Sequence, residues 1–437
     1  MRSNVWHPNT QMSEWKNFPE ISNAKGVWLI DSKGRKLLDG VASMWCNVWG
    51  HSKYELITSI VNQAKKLQHS PMFNLTNQPA EKLAKKLVSI SPGMKHVFFS
   101  DNGSTAMEIS IKIALQYWSN LGIKKTKIAT LENGYHGDTF GSMSVGYVPE
   151  FFVNFKSKLF PTIRFPVPNK YRVPKNYTFS DYQNHCLDKI EKKLSNSNSI
   201  AAFVMESGAQ LAGGVIIYPS GFQKKINKIC IDNDVLFVLD EIATGFGRLG
   251  SMIEYENQHC RPDIVSFGKM LTGGYLTFAA TLTTSKIYNT FLDEFNSMKH
   301  LFHGHTYTGN PIAASLSLAN LQLYEKHHLI EKIQSRSRIF QKRATEFSDL
   351  ELVGDVRTKG MVMGIELVSN KKTKAKLKTK KSINKLIFEE GRKHNVYFRT
   401  LGNIVMLVPP LAISSNELNL LIDGALKTIQ GITTELK

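Results

Sequence analysis

The chain has 437 residues, 42% hydrophobic and 21% charged, a composition that fits a globular protein of about two or three domains and excludes a disordered or fibrous one. No apolar run approaches the ~20 residues that cross a bilayer, and the four cysteines, Cys46, Cys186, Cys230 and Cys260, form no C-x-x-C pair, so free buried thiols are expected in place of a zinc site or disulfide framework. The 55 basic and 36 acidic residues leave a net charge of +19, which a polyanionic partner or a lysine-rich surface would explain equally well.

The first residues, MRSNVWHPNTQMSEW, carry neither an apolar core nor a small-residue cleavage site, and a cytoplasmic chain is expected. GVWLIDSKGRKLLDG (26–40) alternates apolar and polar residues about Ser32-Lys33-Gly34 and predicts a hairpin. Short apolar runs then recur between helical stretches: HVFFS (96–100), KIATLE (127–132), SIAAFVME (199–206), VLFVLDE (235–241), DIVSFGK (263–269) and FAATLTT (278–284). Continuous runs of this length suit strands buried on both faces, and their alternation with helices predicts an α/β fold built on a mostly parallel, helix-covered sheet. Toward the C-terminus GMVMGIELV (360–368) and NIVMLVPPL (403–411) read as strands, with a helix over 382–395 between them. The lysine-rich KKTKAKLKTKK (371–381) has no interleaved aromatics or arginines and reads as a solvated loop or helix start, not as a nucleic-acid surface. Both chain ends thus follow an α+β pattern. The expected division is a large domain over 59–321 and a smaller one assembled from 1–58 and 322–437.

In open α/β sheets ligands bind at the carboxyl ends of the strands. Those ends carry Asp101-Asn102-Gly103-Ser104, Glu206, Asp240-Glu241 and Lys269. Gly103-Ser104-Thr105 opens an amphipathic helix of about 14 residues, and it would serve either as a phosphate site of backbone N–H groups and hydroxyls or as a plain N-cap by Asn102 or Ser104. After Asp240, Gly245, Gly247 and Gly250 match the dinucleotide pattern G-x-G-x-x-G, but three residues and an acidic pair separate the strand from its first glycine, so the phosphate-binding turn is missing. A lysine desolvated in a cleft can form a Schiff base with a carbonyl. Together with a phosphate cradle and an acid for a pyridinium nitrogen, Lys269 and Asp240 answer the needs of a pyridoxal phosphate enzyme.

The segments DEIATGFGRLG (240–250), PDIVSFGKMLTGGY (262–275) and HGHTYTGNP (303–311) resemble the class III aminotransferases of the fold-type I pyridoxal phosphate superfamily, a likeness that runs over nearly the whole chain. Within that family, WHPNTQM (6–12), DNGSTAMEISIKIALQYW (101–118), NGYHGDTFGSMSVG (133–146) and FRTLGNIVMLVPPLAIS (398–414) resemble the branch that aminates the keto acid 8-amino-7-oxononanoate in biotin synthesis. The resemblance implies a fold-type I large domain, pyridoxal 5′-phosphate as cofactor, and an obligate homodimer with sites at the subunit interface. It implies that Lys269 carries the cofactor and moves the proton, that Asp240 pairs with the pyridine nitrogen, and that Tyr135 stacks on the ring. Gly103 and Ser104 would hold the phosphate, reached by Thr306 from the neighbouring subunit, and Glu206 and Gln210 would lie near the cofactor's 3′ oxygen. For substrate it implies Arg399 on the keto acid carboxylate, Tyr135 and Asp138 near the amine, Met44 and Trp45 along an apolar channel, and Asn9 and Gly304 in the same pocket. The chain departs from family habit at Asn9, often aromatic, at Met44, sometimes tryptophan, and in ESGAQLAGG (206–214), which lacks a proline after the glutamate. S-adenosylmethionine and lysine are both donors within the branch. The rival readings are an ω-aminotransferase for ornithine, 4-aminobutyrate or a diamine, and an aminomutase of the glutamate-1-semialdehyde kind.

Overall fold

The computed structural model describes residues 4–15 and 18–436; positions 1–3, 16–17 and 437, which fall in the segments expected of the smaller domain, lie outside the described residues. Its centre is a seven-stranded sheet in the order His96–Ser100, Ala279–Thr283, Ile264–Phe267, Leu236–Asp240, Ile200–Glu206, Lys127–Leu131, Ile163–Phe165. Six strands are parallel, and Ala279–Thr283 runs antiparallel to both its neighbours. Every expected apolar run forms a strand. The three-residue edge strand Ile163–Phe165 is an addition, too short to stand out as a run.

The inner strands are apolar on both faces because helices cover both; Ile200–Glu206 is buried at every position. Parallel pairing is in register at the carboxyl ends, with Asp240 opposite Glu206 on one side and Ser266 on the other. Three strand ends therefore finish level, and the polar residues that follow share one rim.

Gly103–Asn120 is a helix of 18 residues, four more than the expected 14. Polar bonds fix it to the strands beneath. Ser110 Oγ lies 2.8 Å from Ser266 Oγ, Thr281 Oγ1 donates to Ala106 O at 3.0 Å, and the buried Trp118 indole donates to Ala201 O at 2.8 Å.

The chain ends come together. Strands Ile21–Lys25, Trp28–Asp31 and Lys36–Asp39 form an antiparallel meander, and Val396–Tyr397 joins it in parallel beside Leu38 and Asp39. The expected hairpin about Ser32-Lys33-Gly34 is the turn after Asp31, whose Oδ1 accepts the N–H groups of Lys33 and Arg35 at 2.9 Å each. A second sheet, built from Val353–Lys359, Val362–Asn370, Ile404–Leu407 and Arg399–Leu401, completes the C-terminal part beside the helix Ile383–Lys393. The lysine-rich run is loop with a two-residue strand, Ala375–Lys376, and is pinned by Lys374 Nζ to Tyr171 O (2.6 Å) and by Lys376 to Glu150 (3.1 Å). Residues 241–250 form a run of turns in which the buried Arg248 donates to Met361 O and Pro409 O, tying the central sheet to the C-terminal segment. Three cysteines are buried, while Cys46 is only half-buried, because it follows Trp45 on a cleft wall. Among the described residues no helix is long and apolar enough to cross a membrane.

Trp118 anchors the far end of the Gly103–Asn120 helix, so Trp118→Ala should destabilise the protein by about 3–5 kcal/mol. Denaturant unfolding followed by circular dichroism checks this, and Trp118→Phe, which keeps most of the packing, should recover most of the loss.

Candidate active site

At the rim a cavity of about 190 Å³ is walled by the start of the Gly103–Asn120 helix, by Tyr135 to Gly137, by Glu206 and Asp240 at their strand ends, and by Lys269. Asn102 is the helix cap. Its Oδ1 accepts the Thr105 N–H at 3.0 Å while Thr105 Oγ1 accepts the Asn102 N–H at 3.1 Å. The cap thus uses the Thr105 N–H and not those of Gly103 and Ser104, which begin the helix on the cavity wall with its positive dipole end. Glycine is required twice in this cradle. A Cβ on Gly103 would stand 2.8 Å from Ile242 Cγ2, and one on Gly137, at φ +124°, would stand 2.1 Å from Ser104 Oγ. Backbone N–H groups, a serine hydroxyl and glycine-limited walls fit a phosphate group.

The floor is polar and buried. Asp240 Oδ1 accepts the Ile242 N–H at 2.9 Å, and Oδ2 lies 2.8 Å from His136 Nδ1. Glu206, in register beside Asp240, accepts the N–H groups of Tyr135 (3.2 Å) and Leu211 (3.0 Å). Burial raises the pKa of Glu206 to about 7, with the neighbouring Asp240 acting in the same direction. Lys269 follows the strand Ile264–Phe267 at φ +40°, a left-handed conformation that costs a lysine about 1–3 kcal/mol and that recurs at functional sites. Its ammonium is held below the usual lysine range by burial, although Asp240 and Glu206 oppose the shift. The Nζ atom stands 5.6 Å from the centroid of the Trp45 ring.

The cavity opens into a cleft of about 610 Å³, and Trp45, Tyr135, Ala212 and Lys269 line both. Asn9, Met44, Asp138 and Arg399 line the cleft as well. Tyr135 Oη donates to Asp138 Oδ1 at 3.1 Å. Arg399 Nη1 lies 3.3 Å from Met44 Sδ, and among the described residues no carboxylate pairs with this guanidinium. Met44 and Trp45 sit on a contorted segment in which Ala42, Ser43 and Trp45 all have positive φ. The fully buried Asp39 holds it, accepting the Val41 N–H at 3.2 Å and the Ser43 N–H at 2.7 Å, with His51 Nε2 at 3.1 Å.

The structure therefore gathers Lys269, Asp240, Tyr135, Gly103, Ser104 and Glu206 about one cavity, and Asn9, Met44, Trp45, Asp138 and Arg399 about the adjoining cleft. Thr306 and Gly304 line neither in the single chain. Both are exposed; Thr306 O faces His69 Nε2 at 2.7 Å, and Gly304 packs on the Phe73 ring. Gln210 turns away from the cavity and donates to Glu132 O at 2.9 Å. Two residues of the site went unassigned in the sequence, His136 and Asp39. His136 stood in view between Tyr135 and Gly137, whereas nothing local marks Asp39 as the clamp of residues 41–43.

Comparison with known proteins agrees with this geometry. Residues 11–429 match the family described as aminotransferase class-III. The chain is 40% identical to the adenosylmethionine-8-amino-7-oxononanoate aminotransferase of Geobacter sulfurreducens, over 99% of this chain and 97% of that one. The crystal structure of the enzyme of the same name from Methanocaldococcus jannaschii superposes with a TM-score of 0.90 at 41% identity, covering 98% of this chain and 97% of the other. An omega transaminase of Pseudomonas jessenii in complex with PMP superposes with a TM-score of 0.93 at 27% identity, over 98% and 96%.

Two buried carboxylates set a pH dependence. Glu241, fully buried, accepts the Glu254 N–H at 2.9 Å, yet burial still pushes its pKa to about 8, as it pushes Glu206 to about 7. Folded values above the unfolded ones mean stabilisation that is complete below the ordinary carboxylate pKa and lost as pH rises through 7 and 8. The cofactor-free protein should melt lower at alkaline pH than in mild acid, at about 1.4 kcal/mol per unit of displacement. Calorimetry across that range checks this, and Glu241→Gln should shrink the difference.

Proposed function

This chain belongs to the class III aminotransferases, and we propose that it transfers an amino group to 8-amino-7-oxononanoate, giving 7,8-diaminononanoate for biotin synthesis, with S-adenosylmethionine or lysine as donor. Its cofactor is pyridoxal 5′-phosphate, which supplies a carbonyl that takes up the donor's amine and a ring that draws off negative charge from the adjacent carbon. The observation that carries the proposal is the junction at Lys269: a glycine-walled cradle and a buried aspartate on one side, and on the other a long cleft with an arginine that no carboxylate among the described residues pairs.

Each residue then has a task. Lys269 Nζ, whose ammonium form burial disfavours, holds the cofactor carbonyl and moves the proton. Asp240 faces the ring nitrogen and favours its protonated form. Gly103 and Ser104 hold the phosphate through the helix end, Tyr135 covers a ring face, and Glu206 borders the ring's oxygen side. Arg399, whose fork of donors matches a carboxylate, anchors the acid end of the keto acid. Met44 and Trp45 enclose its alkyl chain, Asp138 with Tyr135 meets its amine, and Asn9 lies at the cleft's wall. Our reading includes a cytoplasmic homodimer in which Thr306 and Gly304 reach the partner's site. That part is supported by their exposure beside Phe73, Phe302 and Tyr307, which are themselves exposed aromatics. It also divides the chain into a large unit over 59–321 and a small one from 1–58 and 322–437, in keeping with the strand that 396–397 adds to the N-terminal meander.

The half-reaction tests the proposal. Absorbance of the purified holoenzyme should change to that of the aminated cofactor with S-adenosylmethionine or with lysine, and 8-amino-7-oxononanoate should reverse it. Response only to ornithine or 4-aminobutyrate would place the chain among the ω-aminotransferases. Lys269→Ala should retain cofactor through the phosphate site while turnover falls by about 10²–10⁴-fold or more. Arg399→Ala should cost about 2–5 kcal/mol in keto acid binding and far less in donor binding, read as separate KM values.

A further inference from the structure

One wall of the cleft has no task in the scheme above. Ser382, Ile383 and Asn384 line it beside Arg399 and Thr400. They form the start of the helix Ile383–Lys393, whose cap, Ser382 Oγ, accepts the Lys385 N–H at 3.3 Å and donates to Glu14 Oε2 at 2.8 Å. Ile383, Leu386 and Ile387 are buried, so this first turn is held both by packing and by the N-terminal segment.

Asn384 meets the strand that carries Arg399. Arg399–Leu401 lies at the end of its sheet and, among the described residues, pairs only with Ile404–Leu407. The Thr400 N–H on its outer edge is instead accepted by Asn384 Oδ1 at 3.2 Å. That bond fixes which way round the amide lies. Turned over, it would set two donors against each other, so the oxygen belongs to Thr400 and the –NH2 group is the free end. Among the described residues no acceptor takes up that –NH2 group, on a residue that lines the cleft.

The Thr400 bond alone does not call for an amide. A carboxylate at position 384 would serve that N–H at least as well, since charge strengthens such a bond. It would also put a negative charge on the wall that Arg399 shares, where it would neutralise the guanidinium and repel an entering anion. Asparagine keeps the bond and presents a neutral donor in place of that charge. A bound carboxylate can use the donor, because it accepts about four hydrogen bonds and a guanidinium fork fills only part of that capacity.

We propose that Asn384 is a specificity-determining residue: its –NH2 group donates to the carboxylate of the keto acid beside Arg399 and favours an anionic end over a neutral one. The inference rests on the placement of that carboxylate at Arg399 given above.

The experiment loads the enzyme with pyridoxamine 5′-phosphate, so that no donor is needed, and mixes it with 8-amino-7-oxononanoate or with its methyl ester. Single-turnover absorbance then gives a half-saturating concentration and a limiting rate for each. The wild type should favour the acid. Asn384→Asp keeps an acceptor for the Thr400 N–H but loses the donor, and should raise the half-saturating concentration of the acid about tenfold or more, with little change for the ester. An unchanged acid value overturns the proposal, and so does an equal loss for acid and ester, which is the mark of a purely structural bond. Arg399→Ala separates the two readings. If it loses the preference for the acid while Asn384→Asp keeps it, the role of Asn384 falls and that of Arg399 stands. If both variants keep the preference, the acid end binds elsewhere and the placement at Arg399 falls as well. Should Asn384→Asp fail to fold, Asn384→Ala decides by the same ratio: a reduced preference for the acid bears the proposal out, and an unchanged one refutes it.

Discussion

The site depends on the level registration of three parallel strand ends. With Asp240 opposite both Glu206 and Ser266, two carboxylates emerge side by side at buried positions. Like charges so placed cannot both ionise freely. The structure resolves this by giving them unequal partners: Glu206 has two backbone N–H groups and a pKa raised to about 7, whereas Asp240 has a backbone N–H and an imidazole. Lys269 completes the balance as a cation weakened by the same desolvation, and the two carboxylates moderate that weakening without cancelling it.

Around this floor the backbone is held in conformations that it would not adopt alone. Lys269, Ala42, Ser43 and Trp45 all have positive φ. Each has a nearby restraint: the 3-10 turn Lys269–Thr272 for the lysine, and the buried Asp39 for the segment carrying Met44 and Trp45. Asp39 ends the last strand of the N-terminal meander, and Tyr397, two residues before Arg399, pairs with it. Sheet pairing between the two chain ends thus fixes the walls of the cleft relative to each other, and Arg399 meets Met44 as a consequence.

The strands were legible in the sequence because burial on both faces leaves continuous apolar runs. Direction was not, since FAATLTT carries no mark of being antiparallel; only its pairing with both neighbours shows it. The rim residues could be read because each follows a strand directly, and the cradle because only glycine fits at Gly103. Asp39 and His136 were not read, for the same reason. Their partners, Ser43 and Asp240, are reached by a backbone bend in one case and by a separation of 104 residues in the other, and neither contact leaves a local pattern. Thr306 and Gly304 belong to a different class again: their proposed roles need a second copy of the chain, and a single chain leaves them on its surface.

The separation between cavity and cleft has a consequence for how such an enzyme changes its substrate. The cavity is built from strand ends and one helix start of the central sheet, where a single added methyl at Gly103 or Gly137 would collide with fixed atoms. The cleft is built largely from the chain termini, and Met44, 45% exposed, meets Arg399 only through a soft sulfur contact. Replacing Asn9 or Met44 would alter what the cleft admits without moving an atom of the cradle or of the Asp240 floor. On the proposed reading, the departures from family habit at Asn9 and Met44 fall where the chain can accept them, while Lys269 and Asp240 are bound by desolvation, register and restraint all at once.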